Sequence, residues 1–99
     1  MKAHQGGKRF FPTAKQRKNR IRKLERDQST IEEKIESLEE KIQELEAQMA
    51  QPDVAADFGK LTELQQTYET QQAELESATE SWESILLELE ELNNTQQDD

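Results

Sequence analysis

The sequence predicts an all-α fold: a two-helix antiparallel coiled-coil hairpin carrying a flexible basic N-terminal arm. Three observations lead there. Apolar residues recur in alternating steps of three and four along two long segments. A break containing a proline separates those segments. Hydrophobic residues make up 31% of the chain and charged residues 35%, too few apolar groups for a three-dimensional core but enough for one stripe on each of two helices. The same composition would suit a disordered chain, and it is the periodicity that decides between the two.

Residues 1–12 read as a flexible arm or linker. Gly6-Gly7 and Pro12 break regular structure, and the remainder is polar and basic apart from Phe10 and Phe11. Thr13-Ala-Lys-Gln16 follows Pro12 directly and has the form of a capping box, so a first helix should begin at about residue 14. It can run to Gln51, because Pro52 cannot continue it and disfavours helix at the residue before it.

Within that helix the stripe is Ile21, Leu24, Gln28, Ile31, Ile35, Leu38, Ile42, Leu45 and Met49, a heptad register without a slip. Only Gln28 is polar. Residues 52–57 form a short turn, and Asp57 is placed to cap the second helix, over about 58–92. The second stripe is Leu61, Leu64, Tyr68, Gln71, Leu75, Ala78, Trp82, Ile85, Leu89 and Leu92, with Gln71 its one polar amide. Asn93-Asn94 ends the pattern, and 93–99 reads as a disordered polar tail.

Two heptad helices joined by six residues are antiparallel neighbours, and in such a pair the a positions of one face the d positions of the other. One register satisfies this throughout. It pairs Met49–Leu64, Leu45–Tyr68, Ile42–Gln71, Leu38–Leu75, Ile35–Ala78, Ile31–Trp82, Gln28–Ile85, Leu24–Leu89 and Ile21–Leu92. It also sets Lys41 near Glu74 on the flank, an exposed pair worth about 0.5 kcal/mol. The competing arrangement pairs two chains, and Pro52 with its short turn favours the hairpin.

Charge is divided unevenly. Residues 1–26 hold ten basic side chains and one acid, whereas 27–99 hold three basic side chains and 21 acids, within a net charge of −9. A basic arm on an acidic body suggests two surfaces with different partners. The chain has no cysteine, which excludes disulfides and thiolate metal sites. Its longest run of large aliphatics, Ile85-Leu86-Leu87, is far short of a membrane span, and no apolar stretch follows the basic N-terminus as in a secretory signal. A cytoplasmic location is expected.

No catalytic constellation is present. His4 is a lone histidine in the arm. Gly6-Gly7-Lys8 lacks the spacing, the following Ser or Thr and the preceding strand of a phosphate loop. The glutamates lie on solvated helix faces with no cleft to shift their pKa.

The informative segment is residues 15–26, on the first three turns of the first helix. Lys15, Lys18, Arg22 and Arg26 fall on one ridge by three- and four-residue spacing, with Arg17, Arg20 and Lys23 in support. Such a ridge suits a phosphate backbone with little base specificity. The opposing reading is that these charges neutralise Glu83, Glu88, Glu90 and Glu91 on the partner helix. Phe10 and Phe11 could stack on bases or pack under the coiled coil.

Taken in order, several features resemble one family. They are Lys-Gln-Arg-Lys-Asn-Arg-Ile-Arg-Lys-Leu-Glu at 15–25, Ile-Glu-Ser-Leu-Glu-Glu-Lys-Ile-Gln-Glu-Leu-Glu at 35–46, Pro52-Asp53 in the turn, Lys60-Leu61 opening the second helix, and Trp82-Glu83 late in it. Over about residues 8–92 the chain resembles the C-terminal coiled-coil domain of ABC-F (Uup-like) ATP-binding cassette proteins. The resemblance implies a non-catalytic module that follows two ATPase domains. ATP and Mg would belong to those domains, with no cofactor in this chain. It further implies a protein that binds the ribosome, influences translation and contacts ribosomal RNA or DNA. Gly59 departs from the helix former usual there, which would fray the first turn of the second helix. The acidic distal hairpin argues against RNA binding at the tip, leaving the basic ridge and arm as the nucleic-acid surface.

Two functional readings follow. The first is an ABC-F C-terminal module, monomeric, which contacts nucleic acid through its basic end and helps position the ATPase. The second is a stand-alone structural coiled coil that mediates protein contacts or dimerisation.

Overall fold

A computed structural model of the chain describes residues 13–97, with side chains described for 13–94. Among the described residues there are three helices: α1 over Ala14–Met49, a single turn α2 over Pro52–Ala55, and α3 over Phe58–Gln97. Helices α1 and α3 pack against each other as the arms of a hairpin. The radius of gyration is 21.3 Å and the extents are 67 × 30 × 16 Å. A compact domain of this length would have a radius of about 13 Å, so the molecule is a rod.

Helix α1 starts where the capping box places it. The Gln16 backbone N–H donates to Thr13 Oγ1 at 3.1 Å, and the Thr13 backbone N–H donates to Gln16 Oε1 at 2.9 Å. The far end stops two residues before the expected Gln51. Gln51 is extended at φ −69° and ψ 135°, the backbone that a following proline imposes, so the helix closes on Ala50 instead. Proline then serves as the first residue of α2, where its missing N–H costs nothing. The expected turn over 52–57 is therefore largely helical. Reversal is completed by Asp57, whose Oδ1 accepts from the Lys60 backbone N–H at 3.1 Å and caps α3. That cap holds the first turn of α3 in helix despite Gly59. No described residue has a positive φ.

Helix α3 runs to Gln97, five residues past Leu92. Asn93 and Asn94 were expected to end it. Each costs only a fraction of a kcal/mol inside a helix, and no glycine or proline follows to enforce a stop.

The core is thin, as two helices require. Leu24, Leu38, Ile42, Ala78 and Leu89 are buried, and most other stripe residues are half-buried. Two cross-helix bonds report the register. Trp82 Nε1–H donates to Glu32 Oε2 at 3.0 Å, and the Tyr68 hydroxyl donates to Glu46 Oε2 at 3.1 Å. Each acceptor lies one residue beyond the stripe partner of its aromatic ring, Ile31 and Leu45, so both bonds agree with the predicted pairing. The two clasps stand fourteen residues apart on both helices, repeating one geometry after two heptads. The Lys41–Glu74 pair is not formed. Lys41 instead lines a shallow groove with Thr67 and Gln71.

The polar stripe residues fare differently. Gln28 Nε2 donates to Glu32 at 3.1 Å, whereas Gln71 Oε1 is buried without a partner. Thr67 and Thr70 donate back to the Glu63 and Gln66 carbonyls at 3.2 and 3.1 Å, a bonding mode that weakens and bends a helix slightly. These features weaken the middle of α3 slightly.

The Trp82 clasp has a pH signature. Its N–H, with the Gln28 amide, holds the Glu32 carboxyl below the ordinary value of 4.5. A carboxyl lowered by folding contributes stability above that value, and the contribution is lost as pH falls through the folded-state pKa. Trp82→Phe keeps a ring but removes the donor. Its deficit in melting temperature against wild type should be larger at pH 7 than at pH 3, read by circular dichroism. An equal deficit at both would mean that the bond contributes nothing and only packing was lost.

Candidate nucleic-acid interface

The capping box sets the phase of α1 from its first residue, and that phase distributes the seven basic residues over different faces. Lys15, Lys18, Arg22 and Arg26 are exposed and lie on the side away from the Leu24 stripe. Over the eleven residue steps from Lys15 to Arg26 the ridge is about 16 Å long. Duplex nucleic acid carries about ten phosphate charges over that length. None of the four makes an ion pair with any described residue.

The three supporting residues are placed otherwise. Arg20 Nη2 meets Glu88 Oε2 at 2.6 Å, and its Nε donates to the same oxygen at 2.7 Å. Both side chains are well exposed, which limits the pair to about 0.2–1 kcal/mol. Lys23 donates to Asp27 at 2.8 Å one turn on, and this bond holds the Asp27 carboxyl below the usual aspartate range. Arg17 departs from expectation. It is only 8% exposed, and so is not presented to a ligand as a surface cation. The cause is legible in the sequence: Arg17 lies seven residues before Leu24 and shares its phase, extending the packed stripe by one position, four residues before Ile21.

The ridge also runs against helix electrostatics. The N-terminal end of a helix carries partial positive charge and disfavours nearby cations. Lys15 and Lys18 nevertheless occupy the first turns of α1, where there is no acidic residue in the first turn. Their placement does not serve helix stability.

No group of three or more His, Cys, Asp or Glu side chains among the described residues is arranged to hold a metal ion. Their grooves are shallow and lie along the acidic flanks and at the tip. None of the described helices is long and apolar enough to cross a membrane. His4, Phe10, Phe11 and the rest of the arm lie outside the described residues.

A family model described as the ABC transporter C-terminal domain matches residues 19–91, about three quarters of the chain. The chain belongs to this family. Within the ABC transporter C-terminal domain match lie most of both arms of the hairpin, its tip, both aromatic clasps and the Arg20–Glu88 pair. Of the exposed ridge, Arg22 and Arg26 fall inside the match, whereas Lys15 and Lys18 precede it. No curated protein and no solved structure matches the chain. Membership makes the hairpin an accessory module of an ATP-binding cassette protein and is compatible with the ABC-F subgroup.

Proposed function

We propose that this C-terminal domain is a non-catalytic module of an ABC-F type ATPase, located in the cytoplasm. It contacts the phosphate backbone of ribosomal RNA or DNA through Lys15, Lys18, Arg22 and Arg26, and so helps position the ATPase domains on the ribosome. The observation that carries the reading is the ridge itself: four exposed cations in phase, unpaired with any described residue, the first of them set at the helix end where cations are electrostatically disfavoured. Arg20 and Lys23 support it from their ion pairs, which an incoming phosphate could exchange. Arg17, packed in the base, makes no phosphate contact.

The Arg20–Glu88 pair favours the second reading, in which the basic segment neutralises the acidic helix and the hairpin mediates protein contacts or dimerisation. A salt titration separates the two. Binding to structured ribosomal RNA and to duplex DNA is measured for wild type and for Lys18→Glu/Arg22→Glu, with helicity checked in parallel. Four phosphate contacts predict a slope of log affinity against log salt of about −3 to −4, and the double variant should lose about 2 of it. Wild type that binds neither nucleic acid would hand the function to the second reading.

A further inference from the structure

The clasps and the stripe do not by themselves fix how far the two arms are slid past each other. Trp82 and Tyr68 donate to Glu32 and Glu46. These are two of four glutamates that recur every seven residues along one flank of α1, at 25, 32, 39 and 46. When α3 slides by one heptad, so that each α1 residue faces an α3 residue seven positions earlier, Trp82 comes to Glu25 and Tyr68 to Glu39. The stripe tolerates the same step. Ile21 then meets Ile85, Leu24 meets Trp82 and Leu38 meets Tyr68, every a position still faces a d position, and Gln28 and Gln71 remain the polar members between Ile21 and Leu45. The reversal has room in either arrangement. Its last layer becomes Leu45–Leu61, sixteen residues apart, against fifteen for Met49 and Leu64.

The opposite flank does discriminate. Arg20 is bonded to Glu88 there. The same flank spacing sets Lys41 beside Thr67 and Gln48 beside Lys60, and each two line one groove. One heptad on, Arg20 faces Ser81, Asp27 faces Glu74 and Lys41 faces Lys60. An attraction is lost and two like-charge juxtapositions arise, the kind of flanking charge pattern that selects among coiled-coil pairings. We propose that the hairpin has a second register, one heptad or about 10 Å along the rod, and that Arg20–Glu88 is the pin that holds it in the observed one. Both side chains of the pin are well exposed, so salt screens it, and an anion that takes Arg20 releases it. The device does not depend on the nucleic-acid reading.

The chain has no cysteine, so spin labels attach only where cysteines are introduced. Ser29, Ser37, Ser77 and Ser84 are exposed and lie off both stripes. Two labelled chains, Ser29→Cys/Ser77→Cys and Ser37→Cys/Ser84→Cys, are diluted into unlabelled chain, and the distance within each is measured by electron paramagnetic resonance. The slide shortens the axial offset of the first pair by about 10 Å and lengthens that of the second by as much. Exchanging the pin with its neighbour, Glu88→Ser/Ser81→Glu, keeps composition and charge but moves the carboxylate by one heptad. The shifted population should rise by about tenfold or more, with the two distances changing in opposite senses. Reversing the pair, Arg20→Glu/Glu88→Arg, should keep the distances of wild type. Wild-type distances in the exchanged chain at full helicity overturn the proposal, because the core would then set the register alone. Loss of helicity in the exchanged chain overturns it too, because the second register must be a folded state. So does a shift of either distance in the reversed pair.

Discussion

Replacing Gln71 by leucine is expected to raise the melting temperature of the hairpin by several degrees. The Gln71 side chain sits in the stripe opposite Ile42, which is 7% exposed, and its Oε1 is buried with no hydrogen-bond partner. An unmet buried acceptor costs about 1–3 kcal/mol, the penalty for stripping water from it without replacement. Leucine removes that penalty and adds apolar area to a core short of it. For a domain of this size each kcal/mol moves the midpoint by about 4–8 °C. The check is a thermal melt followed by circular dichroism, at two protein concentrations. An unchanged or lower midpoint would show that water already satisfies the amide. A midpoint that rises only at the higher concentration would show that leucine has changed the pairing, since a lone polar residue in a stripe can specify register and partner number.

Leu24→Ala should act in the opposite direction and more strongly. Leu24 is 3% exposed, the most buried residue of the core, and the register sets it against Leu89 at 9%. Truncating a buried leucine costs about 2–5 kcal/mol in lost transfer energy and residual cavity. The whole hairpin, with so few buried side chains, holds only a few kcal/mol in reserve. The variant is expected to lose most of its cooperative melting transition. Because Leu24 holds the α1 segment that carries the ridge against α3, nucleic-acid affinity should fall with it although no cation is removed. A melting curve within about 2 °C of wild type, equivalent to a few tenths of a kcal/mol, would refute the assigned packing.

Much of this architecture is legible from local rules. The capping box at Thr13 and Gln16 and the Asp57 cap depend on residues within four positions of one another, and each is found where the sequence places it, whereas α1 ends two residues before the expected Gln51 because Pro52 holds that residue extended. The clasps were not read, because a ring in the stripe of one helix meeting a glutamate on the flank of the other depends on both phases at once. Arg17 was misjudged for another reason. Its charge suggested surface, while its phase already assigned it to the stripe. The end of α3 was set too early because asparagine is a weak signal, and only glycine or proline stops a helix firmly. For the candidate site, the four-cation ridge follows from spacing alone, whereas the engagement of Arg20 with Glu88 required both helices in place.

The lockstep pairing of the two arms has a kinetic side. Met49 and Leu64 are separated by only fifteen residues, Ile21 and Leu92 by 71. Closing the outer pair directly costs about 1.4 kcal/mol more in chain entropy than closing the inner one. The cheapest route closes the tip first and then draws the arms together toward the base, as a zip does. The Gln71 layer lies third from the tip on that route, where the unmet amide slows closure before the apolar layers beyond it can compensate. Leu24 joins near the end, so truncating it leaves the folding rate almost untouched and accelerates unfolding. The base that carries the cations is thus the last part of the hairpin to close and the first to open.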